Sequence, residues 1–252
     1  MKNTFLNYER PLLTCMMQAT TPQRIKELID ASLPEGAEAF GMQFCRLEQA
    51  YRTKETYKEL FAHAAHPVYV TNYRKHGSNE GKSDEVLAAE LLEMAECGAT
   101  LCDVMGDYFD PCEGELTMNE EAIGKQTALI GALHARGAEV LMSSHVLKFT
   151  PAERVLKIAL EHQKRGADIA KIVTGAETMA QQIENLRIIH LLKENLQIPF
   201  LFLTGGECHL SRRLGGTLGN CMSLCVHEHD ELATPSQPLL RDMKALRDIL
   251  EG

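Results

Sequence analysis

Lys171 is the residue whose setting in the sequence points most directly to chemistry. It lies in an apolar run that reads Asp-Ile-Ala-Lys-Ile-Val over residues 168–173. Burying an ammonium group is costly unless the group is paired or loses its proton. A lysine in apolar surroundings loses its proton more readily, and the free amine attacks ketones to form a Schiff base. A structural salt bridge, for example with Asp103, is the alternative role for this lysine.

His145 ends the predicted strand that precedes the Lys171 strand. Neighbouring strands of a sheet lie about 4.8 Å apart, so an imidazole and an amine at adjacent strand ends can meet over one substrate carbon. Imidazole suits general acid–base work at neutral pH. Taken alone, His145 would be interpreted as a capping or core histidine.

Three arginines follow predicted strands and would share one rim. They are Arg46, Arg74 and Arg213. A guanidinium group pairs bidentately with a carboxylate, so this rim indicates an anionic substrate. Surface ion pairs are the alternative, because the chain contains 35 acidic residues.

Short apolar segments alternate with longer amphipathic segments along the chain. Strands are predicted at 12–18, 39–44, 67–73, 100–105, 139–144, 168–173, 198–203 and 221–226. Helices are predicted at 21–31, 56–64, 83–97, 121–135, 150–165, 179–195, 211–218 and 239–250. The mostly apolar strands, each followed by a helix, are typical of a parallel sheet that is covered on both faces.

Eight strand–helix units in 252 residues predict a (β/α)₈ TIM barrel, with residues 1–252 as one domain. A doubly wound open sheet is the alternative. No GxGxxG motif follows a strand and no P-loop is present, so no motif supports nucleotide binding. In a (β/α)₈ barrel the active site lies at the carboxyl ends of the strands, where the candidate residues fall.

The composition indicates a folded protein without an obvious surface for polyanions. The net charge is −9, with 44% hydrophobic and 24% charged residues. These values exclude a mainly disordered chain and argue against a general nucleic-acid or membrane binder. The polar start of the chain and the eight scattered cysteines predict reduced thiols and a cytoplasmic location. We also expect a homodimer.

Several segments together resemble type I 3-dehydroquinate dehydratase, the Schiff-base class of this enzyme. The specific matches are the strand that ends in Ser-Ser-His145, the Thr150-Pro151 helix start and the Gly166-Ala-Asp-Ile-Ala-Lys171-Ile run. Looser matches in the same order are Arg46 with Glu48, Tyr73-Arg74, Ser211-Arg212-Arg213-Leu214 and Pro235-Ser236-Gln237.

The resemblance implies that Lys171 condenses with the C3 ketone of 3-dehydroquinate and that His145 acts as general base and acid. Neither a metal nor a cofactor is implied. The residues that would bind the substrate are Arg46, Glu48, Arg74, Arg213, Gln237 and Thr234.

The chain departs from the family pattern around the substrate. Phe44 stands where the family has an acidic residue, which Gln43 or Glu48 would replace. Ser78 falls where the family has the glutamate that orients the histidine; with an insertion, Glu80 would take that role. The ends of strands seven and eight also differ. A Schiff-base lyase or aldolase-like paralogue that acts on another anionic hydroxy-ketone is therefore the alternative function.

Two further interpretations remain open. A metal-dependent barrel hydrolase would use His209, His227 and His229 with an aspartate such as Asp103. A non-catalytic binding protein would keep the fold alone. The candidate lids over the site are the loops 75–82 and 232–238.

Overall fold

The computed structural model describes residues 4–74 and 77–251. The strands are β1 (Leu12–Met17), β2 (Ala39–Gln43), β3 (Val68–Thr71), β4 (Leu101–Met105), β5 (Glu139–His145), β6 (Ile169–Gly175), β7 (Phe200–Gly205) and β8 (Met222–Cys225). The helices are α1 (Pro22–Ser32), α2 (Lys54–Ala64), α3 (Asp84–Glu96), α4 (Glu120–His134), α5 (Ala152–Lys164), α6 (Met179–Asn195), α7 (Leu210–Leu218) and α8 (Leu240–Glu251).

The strands form one parallel eight-stranded sheet in the order β7-β6-β5-β4-β3-β2-β1-β8. The N–H of Cys221, just before β8, donates to the Phe200 carbonyl of β7 at 2.9 Å, so the two end strands of the sheet meet and the sheet closes into a barrel. This confirms the (β/α)₈ prediction and overturns the open-sheet alternative. The eight predicted strand–helix units are all present. Short 3₁₀ turns at Gln49–Tyr51 and Gly77–Asn79 were not predicted.

The side chain of Asn220 adds two hydrogen bonds to the seam between β7 and β8. The backbone N–H of Phe202 donates to Asn220 Oδ1, and Asn220 Nδ2 donates to the Phe202 carbonyl, both at 2.9 Å. A β-carbon on Gly215 would come within 2.4 Å of Asn220 Nδ2. A glycine in α7 therefore makes room for the amide at this seam.

Two apolar layers hold the structure together. The space between the sheet and the helices is filled by buried residues of both, such as Ile29, Leu91 and Ile189. A separate cluster fills the barrel interior, and Phe5, 1% exposed, is part of it. The ring of Phe5 packs edge-on against Tyr69 at 6.4 Å, so the N-terminal segment contributes to the interior core.

Other predictions concern thiols, membrane spans and lids. All eight cysteines fall within the described part of the chain and carry free thiols. Across residues 4–74 and 77–251, no helix combines the length and apolar character that a membrane span needs. Lys75 and His76, which belong to the predicted lid 75–82, lie outside the described residues.

Candidate active site

A cavity of about 750 Å³ lies at the carboxyl ends of the strands. Every strand contributes to its wall, through Met16, Gln43, Thr71, Met105, His145, Lys171, Leu203 and Leu224. This is the end of the barrel at which the sequence predicted the active site.

Strand alternation directs Lys171 into the barrel. Ile169 and Val173, two residues before and after it, belong to the interior cluster. Ala170 and Ile172 point the other way and pack among the helices. Side chains on a strand alternate between its faces, so Lys171 shares the interior face, where it is 4% exposed and lines the cavity.

The amine of Lys171 meets three oxygen atoms. Its Nζ lies 2.5 Å from the Tyr73 hydroxyl, 3.0 Å from the Tyr69 hydroxyl and 3.2 Å from Asp103 Oδ2. The salt bridge with Asp103 that was the alternative role is therefore present, and the same lysine also lines the cavity. The two roles are compatible.

Asp103 is the buried counter-charge of the site, with 1% exposure. Its Oδ2 accepts hydrogen bonds from Tyr69 and from Tyr73, the latter at 2.5 Å, and its Oδ1 accepts one from Ser143 at 2.5 Å. Burial alone would raise the pKa of Asp103. The positive charge of Lys171 and these hydrogen bonds outweigh burial and hold that pKa below its ordinary value, so Asp103 is a carboxylate.

His145 ends β5, beside the strand that bears Lys171. Its Nδ1 lies 2.7 Å from Glu115 Oε2, and its backbone N–H donates to the same oxygen at 3.0 Å. Burial raises the pKa of Glu115, but the hydrogen bonds and charge of His145 lower it below its ordinary value. An ionised Glu115 accepts from Nδ1–H, which leaves Nε2 as the atom that takes a proton.

The structure gives the orienting role to Glu115 rather than Glu80. Glu80 follows the 3₁₀ turn Gly77–Asn79 and is exposed, outside the cavity wall. Glu115 comes from the loop between β4 and α4. The expectation for Glu80 was wrong because it assumed that the orienting carboxylate stays on the loop after β3.

Arg212, rather than Arg213, reaches the cavity. Arg212 is 8% exposed, and its Nε donates to the Thr204 carbonyl at 2.5 Å. Burial lowers the pKa of Arg212 to about 10, so the group remains positive at neutral pH. Arg213 is exposed and lines a small cavity of about 40 Å³ beside Pro11, near the amino end of β1. The prediction chose the wrong arginine of the pair.

Gln43 is the β2 residue that faces the cavity, whereas Phe44 packs outward against Tyr57 at 4.9 Å between ring centres. Among the groups that the structure describes, Gln43 Oε1 has no hydrogen-bond partner. Glu48 is exposed and lies outside the cavity wall. Of the two candidates to replace the missing acidic residue, the structure therefore places Gln43 at the cavity.

The other two arginines of the predicted rim, Arg46 and Arg74, differ in how their charges are paired. Arg46 is half-buried in the cavity wall. Arg74 also lines the cavity, but it pairs with Asp84 at 2.5 Å and with Asp107 at 2.9 Å. Burial opposes its charge, and the two carboxylates outweigh burial and hold the pKa of Arg74 above its ordinary value. Arg74 therefore anchors the loops. The described residues supply no ion pair to Arg46, so of these two its charge is the one available to a ligand.

The loop between β8 and α8 carries Thr234 and Gln237 into the cavity wall. Thr234 exchanges two hydrogen bonds with Gln18 at the end of β1, at 2.9 and 3.0 Å. Gln237 is 6% exposed, and its carbonyl accepts from His229 Nε2 at 2.8 Å. Both predicted residues thus lie at the site.

The histidines of the metal-hydrolase alternative do not converge. His227 pairs with Glu35 at 2.9 Å, His229 binds the Gln237 carbonyl, and Asp103 is engaged inside the barrel. No cluster of three metal-ligating side chains occurs in residues 4–74 or 77–251. That ligand set was wrong.

The sequence interpretation missed the roles of Tyr69, Tyr73 and Glu115. Tyr69 lies on the inward face of β3, so the alternation of side chains along the strand could have identified it. The sequence pointed to Tyr73 only as the neighbour of Arg74 in a motif, without a role of its own. Glu115 lies in a loop without periodicity and gave no signal.

Comparisons with known proteins agree with this geometry. The sequence model described as type I 3-dehydroquinase matches residues 14–252. The 3-dehydroquinate dehydratase of Shouchella clausii is 24% identical over 96% of this chain and 93% of that protein.

Solved structures show the same fold. The 3-dehydroquinate dehydratase of Geobacillus kaustophilus superposes with a TM-score of 0.82 at 15% identity, over 98% of this chain and 93% of that one. The type I enzyme of Clostridium difficile, with covalently modified comenic acid, gives a TM-score of 0.81 at 16% identity, over 99% and 98% of the two chains. The family match over nearly the whole chain, on a barrel that places Lys171 beside His145, means that this protein belongs to the type I 3-dehydroquinase family.

Proposed function

We propose that the protein dehydrates 3-dehydroquinate to 3-dehydroshikimate through a Schiff base on Lys171. The observation that carries the proposal is that Lys171 and His145 lie on adjacent strands and line one cavity. An amine that forms an iminium and an imidazole that moves a proton are the two groups this elimination requires. The named activity of the family's relatives is the same.

The reaction begins with attack of Lys171 Nζ on the C3 carbonyl carbon. Loss of water gives an iminium, which withdraws electrons and acidifies the neighbouring C2–H bond. His145 Nε2 removes that proton, and the enamine expels the C1 hydroxyl, which leaves as water after His145 returns the proton. Hydrolysis of the imine restores the amine and releases the product, so the net change is the loss of one water.

Two carboxylates stabilise the charges that develop. Asp103 lies beside Nζ and stabilises the positive iminium. Glu115 stabilises the imidazolium that forms when His145 takes its proton, and it fixes the ring orientation. Both carboxylates are in place before substrate binds, so little reorganisation accompanies the reaction.

The substrate carboxylate is assigned to the guanidinium groups of Arg212 and Arg46, and a substrate hydroxyl is assigned to Gln237. Arg212 is the buried cation of α7 at the cavity, and Gln237 Oε1 has no partner within the described part of the chain. Thr234 lies in the same stretch of the wall. A charged guanidinium with a neutral amide suits a ligand that carries both a carboxylate and hydroxyl groups.

Reduction with borohydride tests the proposal. With 3-dehydroquinate present, borohydride should convert the imine to a stable amine, and peptide mass spectrometry should place the added mass on Lys171. The variant Lys171→Met should show no adduct and no turnover, and a chelator should leave the wild-type rate unchanged. Trapping of a different anionic hydroxy-ketone, but not of 3-dehydroquinate, would keep the Schiff base and reject the substrate. Absence of any adduct rejects both.

Three broader features complete the proposal. The eight strands belong to one sheet, which supports a single domain over residues 1–252. Free thiols at the eight cysteines support a cytoplasmic location. We propose a homodimer as the working state, which sedimentation analysis would test.

A further inference from the structure

Tyr73 lies beside the reacting amine but has no role in the reaction described above. Its hydroxyl lies 2.5 Å from Lys171 Nζ and 2.5 Å from Asp103 Oδ2, and the residue lines the cavity. Its ring meets His145 edge-on, with 5.0 Å between ring centres. Tyr73 therefore lies on the cavity side of the amine, next to the group that moves the C2 proton.

Tyr69 makes similar contacts from a different position. It too binds Lys171 and Asp103, but it has no exposed surface and belongs to the interior core. Of the two hydroxyls on the amine, the structure puts the one on Tyr73 where a substrate oxygen can reach it.

The surroundings of the Tyr73 hydroxyl set its protonation state at rest. Burial and the nearby Asp103 carboxylate both raise the pKa of Tyr73 well above its ordinary value, so the phenol is protonated at rest. In the resting arrangement Lys171 donates to the Tyr73 oxygen, and the Tyr73 O–H donates to Asp103. The three groups form a continuous path for a proton.

We propose that Tyr73 is a catalytic residue that transfers protons to and from the oxygen on the carbon bonded to Lys171 Nζ, while His145 acts at C2 and C1. This inference rests on the proposed Schiff-base reaction.

Formation of the carbinolamine by this route conserves atoms and charge. From the Lys171–Asp103 ion pair, one proton passes from Nζ to Asp103, directly or through Tyr73. The amine attacks C3, the C–N bond forms, and the carbonyl π electrons move to oxygen. Tyr73 gives its proton to that oxygen and regains one from the attacked nitrogen, which leaves a neutral carbinolamine.

The carbinolamine then loses water. Tyr73 protonates its hydroxyl, the C–O bond breaks, and the nitrogen lone pair forms the C=N bond of the iminium. Asp103 returns its proton to the Tyr73 phenolate and becomes a carboxylate beside the new positive charge. The ion pair has become an iminium–carboxylate pair plus water, and hydrolysis reverses these steps.

Single-turnover trapping separates this role from that of His145. Enzyme and 3-dehydroquinate are mixed and quenched with borohydride at increasing times, and the Lys171 adduct is quantified. In Tyr73→Phe, which keeps the ring against His145, adduct formation should slow by about 100-fold, the typical contribution of a general acid–base group. In His145→Ala, the adduct should form at a rate close to that of wild type, while product formation is lost.

Tyr69→Phe is the matched control, because it removes the other hydroxyl on Lys171 from a ring outside the cavity wall. Its adduct formation should slow by less than about 10-fold, since that hydroxyl stabilises the amine without reaching the substrate. Thermal unfolding should confirm that each variant is folded.

The inference is overturned when folded Tyr73→Phe forms the adduct as fast as wild type, or when His145→Ala is the variant that loses adduct formation. If wild type forms no adduct with any ketone, the Schiff-base proposal itself fails. The two failures are therefore distinct.

Discussion

Each of the two side chains that we propose to react is paired with one carboxylate. Glu115 accepts hydrogen bonds from both the backbone N–H and Nδ1 of His145, so one oxygen fixes both the position and the tautomer of the imidazole. Asp103 does the equivalent for Lys171, and the rings of Tyr73 and His145 touch between the two pairs. The chemistry depends on this pairing of an acid with each reacting group.

We predict that Glu115→Gln lowers kcat by about 10- to 100-fold with a smaller change in KM. The amide is nearly isosteric, but it lacks the charge that stabilises the imidazolium. Steady-state rates, followed through the absorbance of the conjugated product, measure the effect. Glu121→Gln is the control, because Glu121 is an exposed partner of Lys125 at the start of α4 and lies outside the cavity wall. Equal losses in the two variants would contradict the role of Glu115.

The same carboxylates set how stability depends on pH. The folded-state pKa values of Asp103 and Glu115 are both lowered, so these two groups bind more protons in the unfolded chain than in the native protein in mild acid. Their contribution is present above their ordinary pKa values and is lost as pH falls through the lowered ones. Denaturation at several pH values below about 5 should therefore show a shallower acid loss in Glu115→Gln than in wild type.

The phase of each element decides which residues enter the cavity. In β6 the alternation Ile169, Lys171, Val173 points inward, and an apolar strand containing one lysine made this predictable. In α7 the phase was not predictable, because neighbouring helical residues differ in direction by roughly 100°. The helix is short and begins at Leu210, one residue before the predicted start. The sequence alone therefore could not separate Arg212 from Arg213.

We predict that Arg212→Ala raises KM for 3-dehydroquinate by about 10- to 100-fold, whereas Arg213→Ala changes it less than about 2-fold. Loss of a charge-assisted hydrogen bond to a carboxylate corresponds to roughly 1.5–3 kcal/mol. The two variants carry the same substitution one residue apart, and Arg213 is exposed near the other end of the barrel. A larger KM effect in Arg213→Ala would reverse the assignment.

At the scale of the whole molecule, the eight alternating strand–helix units predicted the barrel, but the sequence did not reveal how the barrel closes. Regular alternation predicts parallel strands and their covering helices. Closure uses the side chain of Asn220, for which Gly215 leaves room, together with the backbone hydrogen bond from Cys221 to Phe200. The loop between β4 and α4 that supplies Glu115 also has no periodicity, so its contribution emerges only in three dimensions.

We predict that Asn220→Ala lowers the free energy of unfolding by about 2 kcal/mol, because it leaves the N–H and carbonyl of Phe202 without their partners at a buried seam. Urea denaturation measures the change. Asn195→Ala is the control: Asn195 is exposed at the end of α6, where its side chain donates to the Leu191 carbonyl, and the expected change is within about 0.5 kcal/mol. Similar losses of unfolding free energy in both variants would show that the Asn220 hydrogen bonds contribute no more than those of an exposed side chain.

The two hydrogen bonds between Gln18 and Thr234 join the first strand of the barrel to its last loop. Gln237, on the same loop, cannot swing far from the cavity while both bonds remain intact. Any movement of this loop away from the cavity has to break both of these hydrogen bonds first.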